Sequence, residues 1–113
     1  MHELGITQRI LSIALEKANG VHASRISRIN LVIGELSGIV SECVELYFGI
    51  LSQDTLAAEA SLSFRKPPTE LRCRNCEMVF SPSNSDWACP KCRRQEIEIV
   101  SGRSCFVESI EVE

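Results

Sequence analysis

Two pairs of cysteines, Cys73-Arg74-Asn75-Cys76 and Cys89-Pro90-Lys91-Cys92, are separated by twelve residues. A C-x-x-C pair bends into a knuckle that aims two sulfurs at one point, so two pairs at this separation match a four-thiolate zinc site. Four thiolates fill a tetrahedral shell and leave no position for water. Such a site supports a fold and activates no nucleophile, so Cys73, Cys76, Cys89 and Cys92 read as ligands of a structural Zn(II). The competing readings are a disulfide framework and a redox pair. Disulfides need an oxidising compartment, yet Met1 to Gly20 shows no basic start, unbroken apolar run and small-residue cleavage site. A thioredoxin-like motif needs only one C-x-x-C, between a strand and a helix.

The amino terminus is the second candidate for metal chemistry. The Met1 amine, the His2 amide nitrogen and the His2 imidazole can close two adjacent chelate rings around one ion, if the ion displaces the amide proton. Three coplanar nitrogens suit Ni(II) or Cu(II) and not tetrahedral Zn(II). The fourth position is open to the Glu3 backbone amide, a side chain or water. The bulk of His2 favours retention of the initiator methionine, which the chelate requires. The competing reading is a frayed terminus in which His2 binds nothing. Against that, a helix begins directly behind Glu3 and would anchor the terminus.

Other reactive side chains have plainer explanations. His22 follows Gly20 in a polar loop and reads as solvated. Cys43 and Cys105 lie outside the knuckle spacing and read as small buried hydrophobes. Phe80 and Trp87 fall between the knuckles, where they pack the lobe rather than stack on bases. Glu35 reads as an exposed acid, or as a carboxylate supporting a ligand. No P-loop, G-x-G-x-x-G or paired catalytic carboxylate is present, so no enzyme activity is expected.

The elements that must position these groups follow from periodicity. Ile10, Leu11, Ala14, Leu15 and Ala18 recur three and four apart, which predicts a helix from Leu4 to Ala18 with Asn19-Gly20 as its left-handed stop. Ile29, Leu31 and Ile33 alternate with polar or outward positions and predict a strand. Val40, Val44, Tyr47, Phe48 and Leu51 predict a second helix from Ser41, its candidate cap, to Asp54. Ala60, Leu62 and Phe64 predict another strand, which Pro67-Pro68 terminates. Ser101-Gly102 precedes a last strand, Ser104 to Val112, with Phe106, Ile110 and Val112 expected on one face.

The expected fold is therefore α+β: two helices packed on a small antiparallel sheet, with an inserted four-cysteine zinc-ribbon lobe. Residues 1–66 and 103–113 form the body, and residues 67–102 form the lobe. The strands on either side of the lobe are expected to pair with each other, and the lobe to hinge about Lys66-Pro67 and Gly102.

At 113 residues the chain suits one small domain carrying a lobe. No apolar run approaches the roughly twenty residues of a bilayer span, so no membrane role is expected and a cytoplasmic location is. The net charge of -3 is unevenly spread, because residues 65–103 hold eight Lys/Arg against five Asp/Glu. A basic lobe on an acidic body suits an acidic partner, a nucleic acid, or solubility alone. A nucleic-acid-binding zinc ribbon, resting on Arg65, Lys66, Arg72, Arg74, Lys91, Arg93 and Arg94, is the alternative function. A redox module using Cys43 or Cys105 is a third.

Taken together, Met1-His2-Glu3 opening a helix, the Gly34-Glu35-Leu36-Ser37 stretch, the inserted knuckles and the terminal Ile110-Glu111-Val112 resemble the HypA/HybF family of hydrogenase nickel-insertion accessory proteins. The resemblance covers essentially the whole chain. It implies a nickel metallochaperone and no turnover chemistry. It implies that Met1, His2 and Glu3 bind Ni(II) as cargo, with His2 supplying the imidazole, Met1 the terminal amine, and Glu3 its backbone or a supporting contact. The four knuckle cysteines would be a structural zinc site. The implied partners are the nickel-handling GTPase HypB and the hydrogenase large-subunit precursor, with urease also served in some members, and the protein itself a monomer or homodimer. Some relatives offer an acid shortly after the Gly-Glu stretch. Here that region reads Gly38-Ile39-Val40-Ser41, with Glu42 the nearest acid.

Overall fold

The computed structural model describes residues 2–82 and 86–113, and of His2 the backbone alone. The elements run α1 (His2–Gly20), β1 (Ile26–Ile33), α2 (Ser41–Leu51), β2 (Ser61–Arg65), β3 (Glu70–Cys73), β4 (Val79–Phe80), β5 (Ile97–Ser101) and β6 (Cys105–Val112). They form two three-stranded sheets, ordered β2-β1-β6 and β4-β3-β5. Among the described residues no helix is long and apolar enough to cross a membrane.

The first sheet carries both helices. Its centre is β1, whose Ile29, Leu31 and Ile33 are buried, as the alternation predicts, and whose Ile26, out of that phase, is buried too. Ile10, Ala14 and Ala18 of α1 and Val44 and Phe48 of α2 complete the core, because helical spacing of three and four brings them to one face. Val32, on the opposite face of β1, is buried too. It stands between Arg65 of β2 and Phe106 of β6, and a central strand has neighbours on both sides. Truncating the central side chain, Ile29→Ala, is expected to cost about 2–5 kcal/mol in a denaturant-unfolding experiment.

Two helices on one sheet with an inserted lobe is the expected architecture, but the pairing differs in particulars. β1 and β6 are antiparallel, whereas β1 and β2 run parallel, Arg28 opposite Ser61 through Val32 opposite Arg65. The reason is α2, which carries the chain back to the starting end of β1 and makes β1-α2-β2 a crossover unit. The strands flanking the lobe, β2 and β6, consequently do not pair with each other; both pair with β1.

A bulge changes which side chains of β6 face inward. Asn30 pairs with Ser109 and Leu31 with Val107, so Glu108 is an extra residue on β6. Val107 and Ile110 therefore both pack on the core, while Phe106, beyond the bulge, is exposed instead of sharing the face of Ile110; Val112, at the strand's end, is exposed as well.

The helix ends also differ. Gly20 is still helical, and the left-handed residue is His22, with φ 56°. The Ala23 N–H donates to the Ala18 carbonyl at 3.0 Å and the His22 N–H to the Asn19 carbonyl at 3.1 Å, the paired bonds of a Schellman motif with His22 in the position glycine usually takes. α2 ends at Leu51, three residues early, and its cap is Val40, not Ser41. Val40 has no side-chain oxygen to cap with and is half exposed.

The second sheet is small. Leu71 is fully buried at its centre, opposite Phe80 on one side and Ile99 on the other. The two chain segments that join it to the first sheet are cross-tied where hinging was expected. The N–H groups of Gly34, Glu35 and Leu36 donate to the carbonyls of Ser104 (2.7 Å), Pro67 (3.3 Å) and Gly102 (2.6 Å). The Glu35 carboxylate in turn accepts from the Thr69 N–H at 3.4 Å.

Candidate metal centre

The two C-x-x-C segments fold into matching knuckles. In the first, the Cys73 carbonyl accepts from the Glu77 N–H and the Cys73 N–H donates to the Met78 carbonyl, at 2.8 and 2.9 Å. In the second, the Cys89 carbonyl accepts from the Arg93 N–H and the Cys89 N–H donates to the Arg94 carbonyl, both at 2.8 Å. Glu77 and Arg93 close the turns in the left-handed region, with φ 63° and 66°. Each knuckle buries its first cysteine and leaves its second half-buried.

The knuckles bring their sulfurs together. All four Sγ atoms lie within 4.8 Å of one another, with Cys73–Cys92 and Cys76–Cys89 at 3.5 Å. Sulfurs held about 2.3 Å from one tetrahedral ion sit about 3.8 Å apart, so this set is dimensioned for a single ion. A disulfide needs about 2.0 Å, and all six cysteines are free thiols here. The redox arrangement is also not adopted, because the segment after Cys73 is a turn leading into β4 and not a helix.

The backbone prepares two of the thiols for ionisation. Cys73 is held below the ordinary thiol range, first by the Cys76 N–H and then by that of Asn75. Cys89 is lowered to about 6, first by the Cys92 N–H and then by that of Lys91. For Cys76 the Met78 N–H also acts downward, but burial and the neighbouring thiols outweigh it and push the group up to about 11. Four converging sulfurs, two of them with thiol pKa values lowered by amide dipoles, form a four-cysteine metal site with no open position.

The amino-terminal candidate is only partly described. Met1 lies outside the described residues, as does the side chain of His2, whose backbone begins α1. Glu3 is clear: its carboxylate Oε2 accepts from the Val40 N–H at 3.1 Å, and its carbonyl accepts from the Thr7 hydroxyl. In a capping box a glutamate inside the helix reaches back to the cap N–H. Here the glutamate comes from another helix, so the start of α1 is fastened to the start of α2. This bond also holds the Glu3 carboxyl below its ordinary pKa of 4.5. Sequence reasoning missed Val40 as a partner, since a backbone N–H leaves no mark on residue identity.

The remaining candidates fall elsewhere. His22 closes α1, and Glu35 serves the junction between the sheets. Cys43 and Cys105 are half-buried rather than buried, and burial pushes the Cys105 thiol up. Glu42 accepts from the Ser41 hydroxyl at 3.0 Å. Of the basic side chains offered for nucleic acid, Arg65, Arg72 and Arg94 pair instead with Glu108, Glu98 and Glu96.

Comparison with known proteins gives a consistent result. Residues 1–112 match the family profile described as "Hydrogenase/urease nickel incorporation, metallochaperone, hypA". A "Hydrogenase maturation factor HypA" of Dehalococcoides mccartyi is 47% identical over all of this chain and 95% of its own length. Its namesake in Caldanaerobacter subterraneus subsp. tengcongensis is 40% identical over the whole of both chains. Among solved structures, a HypA protein in solution superposes with a TM-score of 0.79 at 27% identity, covering 100% of this chain and 97% of that one. The Ni metallochaperone HypA from Helicobacter pylori gives 0.71 at 26%, covering 97% and 96%.

Proposed function

This chain belongs to the HypA family of hydrogenase/urease nickel-incorporation metallochaperones, and on that premise we propose that it binds Ni(II) at its amino terminus and delivers it for maturation of nickel-iron hydrogenase. The observation that supports this placement is the bond from the Val40 N–H to the Glu3 carboxylate, which fastens the first turn of α1 beside the proposed ligands. The Met1 amine, the His2 amide and the His2 imidazole would take three planar positions. With the Glu3 carboxylate engaged by Val40, the Glu3 backbone amide is the nearer source of a fourth.

A carrier must hold its ion against loss yet surrender it to the next protein. A chelate at a chain end can be opened stepwise, because an incoming ligand displaces one donor at a time while the others still hold. Cys73, Cys76, Cys89 and Cys92 would hold Zn(II), which supplies cross-linking to a lobe with little core of its own. Residues 1–66 and 103–113 would act as the nickel-binding body and residues 67–102 as the zinc-binding lobe. The recipients we propose are the nickel-handling GTPase HypB and the hydrogenase large-subunit precursor, with urease as a further destination, in the cytoplasm.

The test is a calorimetric and visible-absorption titration of Ni(II) into zinc-loaded, untagged protein and into His2→Ala. One nickel with a planar-nitrogen spectrum is expected in the first and is lost in the second. Equal binding by both would move the nickel to other donors and sink the proposed ligand set. The imidazole and terminal amine must each shed a proton, from ordinary pKa values of about 6.5 and about 7.7–8.0. Nickel affinity is therefore expected to fall steeply from about pH 7.5 to about pH 6. Glu3 is not the cause of that fall. Its folded pKa lies below 4.5, so the stability that its anchor contributes is present above the unfolded value and is lost only on acidification through the folded one, well under the nickel window.

A further inference from the structure

Among the described residues, no other element packs on the side of α2 that faces away from the core. Val44 and Phe48 are buried, yet Leu46 is 64% exposed and Ile50 59% exposed, four residues apart on the opposite side of the same helix. Two large aliphatic side chains in one stripe on a short helix form a patch, whereas a single exposed leucine would need no explanation. Gly49 lies beside the stripe, and a Cβ there would meet nothing within 4 Å, so another backbone can approach closely. Next to Gly49 is a groove of about 250 Å³ between α2 and the edge strand β2, walled by Phe48, Ala60 and Leu62. Ser52, in the groove lining, keeps a buried hydroxyl with no hydrogen-bond partner among the described residues.

The charge around this face is predominantly acidic, with Lys66 beside Glu42 as a nearby cation. From Ile29 to Phe64 the chain contains Glu35, Glu42, Glu45, Asp54 and Glu59 and neither lysine nor arginine. At 100° per residue Glu42 and Glu45 lie on the groove side of the Leu46–Ile50 stripe. Two copies of α2 packed on each other would oppose Glu42 and Glu45 of one to those of the other, a repulsion that Lys66 beside Glu42 offsets only in part. A helix carrying lysines or arginines beside its own apolar stripe would satisfy both the apolar surface and the acids.

We propose that the outward face of α2, with Leu46, Gly49 and Ile50 as its apolar floor and Glu42 and Glu45 as its charged rim, docks a basic amphipathic helix of a partner protein. This is the helix-in-groove mode of recognition, with the acids steering the approach and the stripe and groove retaining the bound helix. The surface is read from α2 and β2 alone and stands whether or not nickel binds at the terminus.

The test uses the full zinc-loaded chain and a fluorescein-labelled Leu/Lys peptide with its leucines at helical spacing, followed by anisotropy. Binding is expected, weakened about tenfold or more by Leu46→Ser with Ile50→Ser, and weakened again as salt rises from about 50 to about 500 mM. Both positions are exposed, so the double variant should fold, which its circular dichroism would verify. Val79→Ser with Val100→Ser, on exposed positions of the second sheet, should leave the affinity unchanged. Unchanged affinity in the α2 variant, or equal binding of a Leu/Glu peptide, would overturn the proposal. So would a dimer in sedimentation that the α2 variant dissolves, since the face would then belong to a second copy of this chain.

Discussion

Cys73→Ser is expected to release the metal and unfold the β4-β3-β5 sheet, while α1, α2 and the β2-β1-β6 sheet survive. The two sheets differ in what holds them. The first is backed by a continuous core that includes Ile10, Ile29, Leu31, Val44 and Phe48. In the second, Leu71 is the one fully buried aliphatic side chain among the described residues, and the other buried apolar positions are Cys73 and Cys89 themselves. A four-stranded equivalent could lean on packing, but a sheet with a two-residue edge strand, Val79–Phe80, cannot. On the proposal that the four cysteines hold Zn(II), its stability would come from the metal, which in zinc-finger peptides binds with about 10–16 kcal/mol. Serine removes one ligand and leaves unchanged the backbone carbonyl and N–H that set the Cys73–Met78 turn, so the loss is that of the metal. Amide hydrogen exchange with metal analysis would read the outcome: β3 and β5 amides should lose protection together with the metal, and those of β1 should keep it. Retained protection at Leu71 and Ile99 in metal-free protein would show that packing alone holds the lobe.

Gly34→Ala should produce the second large effect, from a residue outside both metal candidates. A Cβ at Gly34 would stand 2.2 Å from the Gly102 carbonyl oxygen, 2.4 Å from its carbon and 2.9 Å from the Arg103 nitrogen. All three are backbone atoms, so no flexible side chain can swing aside. The same three residues, Gly34, Glu35 and Leu36, tie both connecting segments to the end of β1. The methyl group must therefore push the return segment off the first sheet, at a cost of about 3 kcal/mol or more. Gly5→Ala makes the matched comparison. A Cβ there would touch nothing, and alanine in a helix is favoured over glycine by about 0.5–1 kcal/mol, so the sign reverses. Denaturant midpoints of the two variants would decide. Equal midpoints would mean that the junction yields freely, and that the lobe hinges as its two tethers alone would allow.

Glu3 would link these results to the proposed nickel site. Its bond to Val40 is exposed and brings two helix starts together without any buried charge. A terminus fastened this way would lose less freedom, if it gathers the proposed three nitrogens around an ion, than a frayed one would. The same bond explains why α2 can start at Val40, a residue with no capping side chain.

How much could be read in advance depended on the distance over which each feature is decided. The knuckles were legible because each is closed by hydrogen bonds spanning four and five residues, and the convergence of Cys73, Cys76, Cys89 and Cys92 follows from two such local turns. The helices and the buried positions of β1 were legible for the same reason, since a period of 3.6 or 2 is a property of neighbouring residues. The ends were less so: His22 in place of Gly20, and Val40 in place of Ser41, reflect Ala23 and Glu3 supplying contacts that compete with the usual preference for glycine and serine. What the tertiary structure alone decided are the contacts between residues far apart in the chain. The parallel course of β2 along β1 depends on where α2 sends the chain. The bulge at Glu108, which turns Phe106 outward, depends on the register against Asn30 and Leu31. The meeting of Gly34 with Gly102 joins backbone to backbone, and that of Glu3 with Val40 joins a side chain to a backbone N–H, and backbone chemistry is the same at every residue. Cysteine spacing carries its own geometry in the chain; a carbonyl pressed against a glycine becomes visible only when both have been brought to one place.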